Sequence, residues 1–147
     1  MRFLYLFTIS LTFLLATACK KDCDASNSFG GEVIDNAIVK VMGHPSANTL
    51  VTEQGMMGFK YEVSFNEGLS YSPVDFGKYS VLCQITRANC SSGYHRTASI
   101  DNSEGTVTYT IEITECDDCE AQATVYNWVL IPAVPSSYEA IFVTERN

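Results

Sequence analysis

The stretch Thr106 to Thr114, TVTYTIEIT, decides the fold class. Val107, Tyr109, Ile111 and Ile113 alternate with Thr106, Thr108, Thr110, Glu112 and Thr114. Side chains leave a strand on opposite faces with period two, so one face here meets a core and the other meets water. Working outward, shorter runs of the same kind cover Ala37 to Met42, Phe59 to Phe65, Tyr79 to Ile85, Tyr94 to Ile100, Thr124 to Ile131 and Tyr138 to Val143. Turn material separates them: Asn66-Glu67-Gly68, Ser91-Ser92-Gly93 and Asp101 to Gly105 (DNSEG), the last reading as a hairpin connection. Pro132 and Pro135 close the run that holds Trp128, because proline donates nothing to a strand ladder. The best helical candidate is a single short stretch, Asn48 to Gln54. About seven strands without intervening helices predict an all-β domain over residues 32–147, a mostly antiparallel sandwich or a small barrel.

Composition bounds the rest. The chain has 147 residues, 46% of them apolar and 18% charged, which suits one globular domain and not a disordered tail. Its formal net charge is −8, with Arg2 the one basic residue inside the leader described next. That balance excludes nucleic acid as a partner, since phosphate binding needs clustered Lys and Arg.

Met1-Arg2 gives a positive start, Phe3 to Leu15 (FLYLFTISLTFLL) an apolar core, and Ala16-Thr17-Ala18 small residues directly before Cys19. This order describes a secretory signal over residues 1–18. The core is too short for a membrane span, which needs about 20 apolar residues. Two cleavages fit: ordinary secretion, with Cys19 merely the first mature residue, or lipoprotein processing, with Cys19 carrying a diacylglycerol thioether. The stretch LLATAC followed by KKD resembles the signal region of lipoproteins from the Bacteroidota, although Ala16 stands where a leucine is usual. The resemblance implies lipid attachment at Cys19 and export to the outer membrane, with its periplasmic or external face left open. Two or three acyl chains hold a protein on a bilayer for its lifetime, where one chain anchors it only reversibly. Residues 19–31, polar and glycine-ended, then read as an acylated tether.

Five cysteines remain as disulfide candidates: Cys23, Cys83, Cys90, Cys116 and Cys119. An odd number cannot all pair, and an exported chain makes disulfides the default. Cys116-Asp117-Asp118-Cys119 admits three readings. A zinc site lacks a well-spaced second ligand pair. A redox pair should open a helix, whereas this one follows a strand and holds two acids that raise a thiol pKa. A disulfide-stabilised loop is the plainest reading, with Cys90 and the CxxC sharing a bond and Cys23 as the odd thiol.

No catalytic constellation and no metal site emerges, so no cofactor is expected. His44, in GHPS, reads as a turn residue and His95 as a strand surface residue. Asp75, Glu112, Asp117 and Asp118 form no pair that one cleft would gather. Trp128 reads as a core anchor. The segment SPVDFGKYSVL (72–82), the CxxC and YNWVLIP (126–132) together resemble a group of small Bacteroidota lipoproteins, and Cys83 departs from that pattern, which has a small residue there. The resemblance implies an anchored envelope domain and brings no activity with it. The expected function is a membrane-tethered, non-catalytic binding or interaction module, held by its lipid and meeting a protein partner. A tethered inhibitor of secreted proteases, presenting a tip such as Asp101 to Gly105, and a thiol-redox envelope protein using the CxxC are the alternatives.

Overall fold

A computed structural model describes residues 26–89, 91–116 and 121–147. Ten strands make up the described fold: β1 (Asn27–Gly31), β2 (Ile38–Val41), β3 (Thr49–Val51), β4 (Tyr61–Ser64), β5 (Ser72–Pro73), β6 (Tyr79–Asn89), β7 (Gly93–Asp101), β8 (Thr106–Thr114), β9 (Gln122–Pro132) and β10 (Glu139–Arg146). A 3-10 turn at Met56–Gly58 is the one helical element among the described residues. The strands form three sheets, ordered β1-β7-β8-β10, β3-β6-β9 and β2-β4-β5. Five of the seven strand pairs are antiparallel; β1 with β7 and β8 with β10 run parallel. None of the three sheets closes on itself, so the fold is a sandwich and not a barrel.

The stretch TVTYTIEIT forms β8 with the expected bounds, and Val107, Tyr109, Ile111 and Ile113 are fully buried. They face Leu82, Ala88, Val129 and Ile131 in a core between the first two sheets. A second core lies on the other face of β6 and β9. There Val81 and Leu130 pack with Tyr61, Val63 and Val74. The β6–β9 pair is therefore covered on both faces, which its unbroken apolar triplets Val81-Leu82-Cys83 and Val129-Leu130-Ile131 require.

Three expectations need correction. Residues 27–31, read as tether, are a strand: β1 lies on β7 with Asn27 opposite Tyr94 and Gly31 opposite Ala98. The helical candidate Asn48 to Gln54 holds β3, whose Thr49, Leu50 and Val51 pair with Cys83, Leu82 and Val81. Three residues make a strand here because β6 supplies a ready edge, and Val51 is fully buried. Among the described residues the strands number ten where about seven were expected, with β1, β3 and β5 the additions.

The register defines two poles. Gly93 stands opposite Thr114 and Asn89 opposite Gln122, so the β6–β7 and β8–β9 connections cross between sheets at the same end. Both ends of the described chain lie at this crossover pole: Tyr94 N–H donates to Ser26 O at 3.2 Å and Asn147 N–H to Ile113 O at 3.1 Å. The opposite pole carries the β7–β8 turn and, through the 5.7 Å ring contact of Phe65 with Tyr79, the β4–β5 loop.

Candidate functional site

The cysteines were the first sequence candidates. Cys83 is free and fully buried, and burial pushes its thiol up to about 12. It sits opposite Trp128 on the face that carries Val81 and Leu130, so it packs as a small apolar side chain. Cys116 is buried and disulfide-bonded. Cys19, Cys23, Cys90 and Cys119 lie outside the described residues, as do Asp117 and Asp118. The structure finds Cys83 free, and the expectation that Cys23 is the odd thiol lies outside the described residues.

The histidines and acids stay apart. His44 stacks on Tyr126 with ring centroids 4.6 Å apart, and His95 Nδ1 shares a hydrogen bond with Ser28 Oγ at 2.7 Å. Asp75 pairs with Lys78 at 3.3 Å on the surface. Among the described residues no three His, Cys, Asp or Glu side chains gather as a metal would need.

A polar cluster occupies the seam between the sheets near the crossover pole. Arg96 Nε and Nη2 both donate to Asn127 Oδ1, at 3.0 and 2.8 Å, and Nη1 donates to Asn27 Oδ1 at 3.1 Å. The guanidinium lies over the Tyr94 and Phe29 rings, 5.0 and 5.8 Å from their centroids. Burial lowers the Arg96 pKa, and the neighbouring tyrosines oppose that shift. Asn127 passes the network on, donating to Thr86 Oγ1 at 2.9 Å and Gln84 O at 3.1 Å. This cluster holds β1 against the body. No signal in the sequence joined Arg96 to Asn127, 31 residues away.

The exposed apolar surface is concentrated elsewhere. Of the eight large apolar side chains that stand exposed among the described residues, six lie between residues 38 and 71: Ile38, Met42, Met57, Phe65, Leu69 and Tyr71. They belong to the β2-β4-β5 sheet and its flanking segments. Two clefts open along β4 and β5. One, about 240 Å3, lies between Phe65 and Tyr71, and the other, about 440 Å3, between Phe59, Tyr61 and Pro73. The end of the β4–β5 ladder is closed by a side chain. Gln54 Oε1 accepts from Tyr61 N–H at 3.2 Å, and Gln54 Nε2 donates to Tyr61 O at 2.8 Å.

The β4–β5 loop holds the most exposed of these side chains on a fixed backbone. Ser64 Oγ accepts from the N–H groups of Asn66 (3.3 Å) and Gly68 (3.0 Å) and donates to Asn66 Oδ1 at 2.7 Å. Asn66 Oδ1 also accepts from Ser70 N–H at 3.1 Å, and Asn66 Nδ2 donates to Ser70 Oγ at 2.9 Å. Glu67 and Gly68 take the left-handed conformation, φ 57° and 83°, which turns the chain so that Leu69 stands 85% exposed. Asn66-Glu67-Gly68 was legible as a turn, whereas its fixed frame needed Ser64 and Ser70, two residues outside it on either side.

No family model, curated protein or solved structure matches the chain. The reading of function rests on this geometry and on the sequence.

Proposed function

We propose that this chain is an envelope lipoprotein, held by a lipid on Cys19, whose body is a non-catalytic binding module for a protein partner. The observation that carries the binding half is the clustering of exposed apolar side chains on residues 38–71, beside two clefts, with Leu69 on a prearranged loop. A surface of this kind marks an interaction site, and a fixed backbone lowers the ordering cost of docking.

Protein is favoured over bilayer as the occupant by position. From Cys19 to Ser26 is seven residues, which reach about 25 Å at most. A lipid on Cys19 keeps the crossover pole close to the membrane. The 11 residues of β6 separate the poles by about 36 Å, at about 3.3 Å each. The Leu69 loop then points away from the lipid. The rigid, turned loop also supports presentation to a concave protein surface more than substrate-like insertion of an extended segment, so protease inhibition stands as the second reading.

Two measurements test the proposal. Labelled palmitate should enter the full chain and be lost in Cys19→Ala, which then appears in the soluble fraction. A photo-crosslinking residue at position 69, in intact envelopes, should give protein adducts, and one at position 92, at the crossover pole, lipid adducts. Label-free wild type sinks the anchor; lipid adducts from position 69 sink the binding surface.

A further inference from the structure

Among the described residues the exposed sulfur-bearing side chains are two methionines. Met42 is 64% exposed and Met57 43%, whereas Met56 is half-buried against the second core and Cys83 and Cys116 are buried. The backbone brings the exposed pair to the 440 Å3 cleft. Met42 N–H donates to Lys60 O at 3.3 Å, carrying the β2–β4 ladder one residue past Val41 and Tyr61, and Met57 stands three residues before Lys60. Lys60 and Phe59 line that cleft. Gly43, next to Met42, lies so close to Phe59 that a Cβ there would stand 2.5 Å from the ring, so the Met42 end of β2 is pressed against the same wall. Met57 is turned outward against its backbone preference. Its φ of 60° and ψ of 13° are left-handed, a region that glycine or asparagine enters more readily than methionine. Three hydrogen bonds hold it there: Gly58 N–H to Gly55 O at 2.8 Å, Phe59 N–H to Met56 O at 3.3 Å and the Tyr61 hydroxyl to Met56 O at 2.8 Å. A Cβ at Gly55 or Gly58 would meet no atom within 4 Å, so solvent reaches the turn from either side. The turn sends Met56 inward and Met57 out, and a residue held in a strained conformation points to a use for its side chain.

We infer that Met42 and Met57 are an oxidation-sensitive pair whose conversion to sulfoxides by a peroxide releases the protein partner. This inference rests on the binding surface proposed above. Each thioether sulfur attacks one oxygen of hydrogen peroxide, the O–O bond breaks, and the departing hydroxide takes up the remaining proton as water. The sulfur is oxidised by two electrons and the peroxide reduced by two. A methionine sulfoxide reductase reverses the step, with a dithiol becoming a disulfide and the oxygen leaving as water. A thioether is an adaptable apolar contact, whereas a sulfoxide at the same place is a strong dipole that a docked apolar surface leaves unpaired. Met56 keeps its place against the second core, so the body stays folded while the surface changes character.

Dilute hydrogen peroxide on the full chain, followed by trypsin, maps the sites. Residues 41–60 leave as one peptide holding Met42, Met56 and Met57, and its fragment spectrum assigns each added oxygen. Met42 and Met57 should oxidise at the rate of a free methionine amide, and Met56 several-fold more slowly. In washed envelopes a photo-crosslinking residue at position 69 then measures the consequence. Peroxide should cut its protein adducts at least about fivefold, the penalty of leaving a polar group unpaired in the interface. A methionine sulfoxide reductase with a dithiol should restore them, and the double variant Met42→Leu, Met57→Leu should keep its untreated yield under the same peroxide. Met56 oxidised as fast as Met57 overturns the pair as the sites. Adducts that survive peroxide, or that the leucine variant loses equally, overturn the release and leave the binding surface standing. Lipid adducts alone from position 69 before any oxidant sink the surface and the release with it, and the peptide map still judges the two sites.

Discussion

Arg96 brings a full charge into the seam between two sheets, where its guanidinium donates to amide oxygens and rests on aromatic rings. A partly buried cation is tolerated when its donors are used and its flat faces are covered, and arginine meets both conditions because its fork and its π-face act independently. Asn127, 1% exposed, accepts at its Oδ1 from Arg96 Nε and Nη2, and no other described residue donates to that oxygen. Arg96→Met should therefore cost about 2–3 kcal/mol, most of it the desolvated oxygen left behind. A double-mutant cycle with Asn127→Ala by urea denaturation should return a coupling of at least about 1 kcal/mol, and additive effects would refute the link. Cys83 makes the opposite case at the same scale. With its thiol pushed up to about 12 and no exposure, it should resist a thiol reagent at pH 8 in the native protein and react only as the chain unfolds. Rapid labelling of the native state would contradict its placement.

The β7–β8 hairpin shows how much an element can disclose through its residue order alone. Its second strand alternates cleanly, and truncation of a fully buried side chain on it, Ile111→Ala, should cost about 2–5 kcal/mol in a chemical melt. The turn is specified by a single carboxylate. Asp101 Oδ1 accepts from Ser103 Oγ at 2.6 Å and from the N–H groups of Ser103 and Glu104 at 2.8 and 3.1 Å. These bonds, the Ser103 hydroxyl foremost, hold the Asp101 pKa below its ordinary value. A depressed carboxylate contributes its stability above the unfolded pKa, near 3.9, and loses it as the pH falls through the lower folded value. NMR titration should place the Asp101 midpoint below that of an unstructured aspartate, and Ser103→Ala should raise it. A midpoint at or above about 3.9 would remove the turn's acid sensitivity. The seven strands visible in the sequence share this hairpin's property of carrying their own pattern. Elements without one were not legible. β1 is NSFGG, and β5 is Ser-Pro; each is a strand because a neighbour's edge captures its backbone. Likewise the frame around Leu69 is built from serine and asparagine side chains, whose composition says loop but whose partners depend on the turn being already closed.

At the scale of the whole molecule the organising fact is that β6 and β9 serve two cores. Leu82, Val129 and Ile131 face one sheet while Val81 and Leu130 face the other. A one-core sandwich was the natural expectation from alternating strands. The doubled triplets Val81-Leu82-Cys83 and Val129-Leu130-Ile131 were the signal against it, because a strand with one wet face does not run apolar through consecutive positions. Sharing has a thermodynamic consequence. Opening either core strips one face of the paired central strands, so neither core should unfold while the other stays intact. Trp128, the only tryptophan, packs in the second core against Tyr61 with ring centroids 6.1 Å apart, whereas tyrosine and backbone signals draw on both. Tryptophan fluorescence and far-ultraviolet circular dichroism should give coincident denaturation curves. Reduction of the Cys116 disulfide should move both curves together to lower denaturant with their coincidence kept. Curves that separate, before or after reduction, would show that the cores are independent and that the central pair does not couple them.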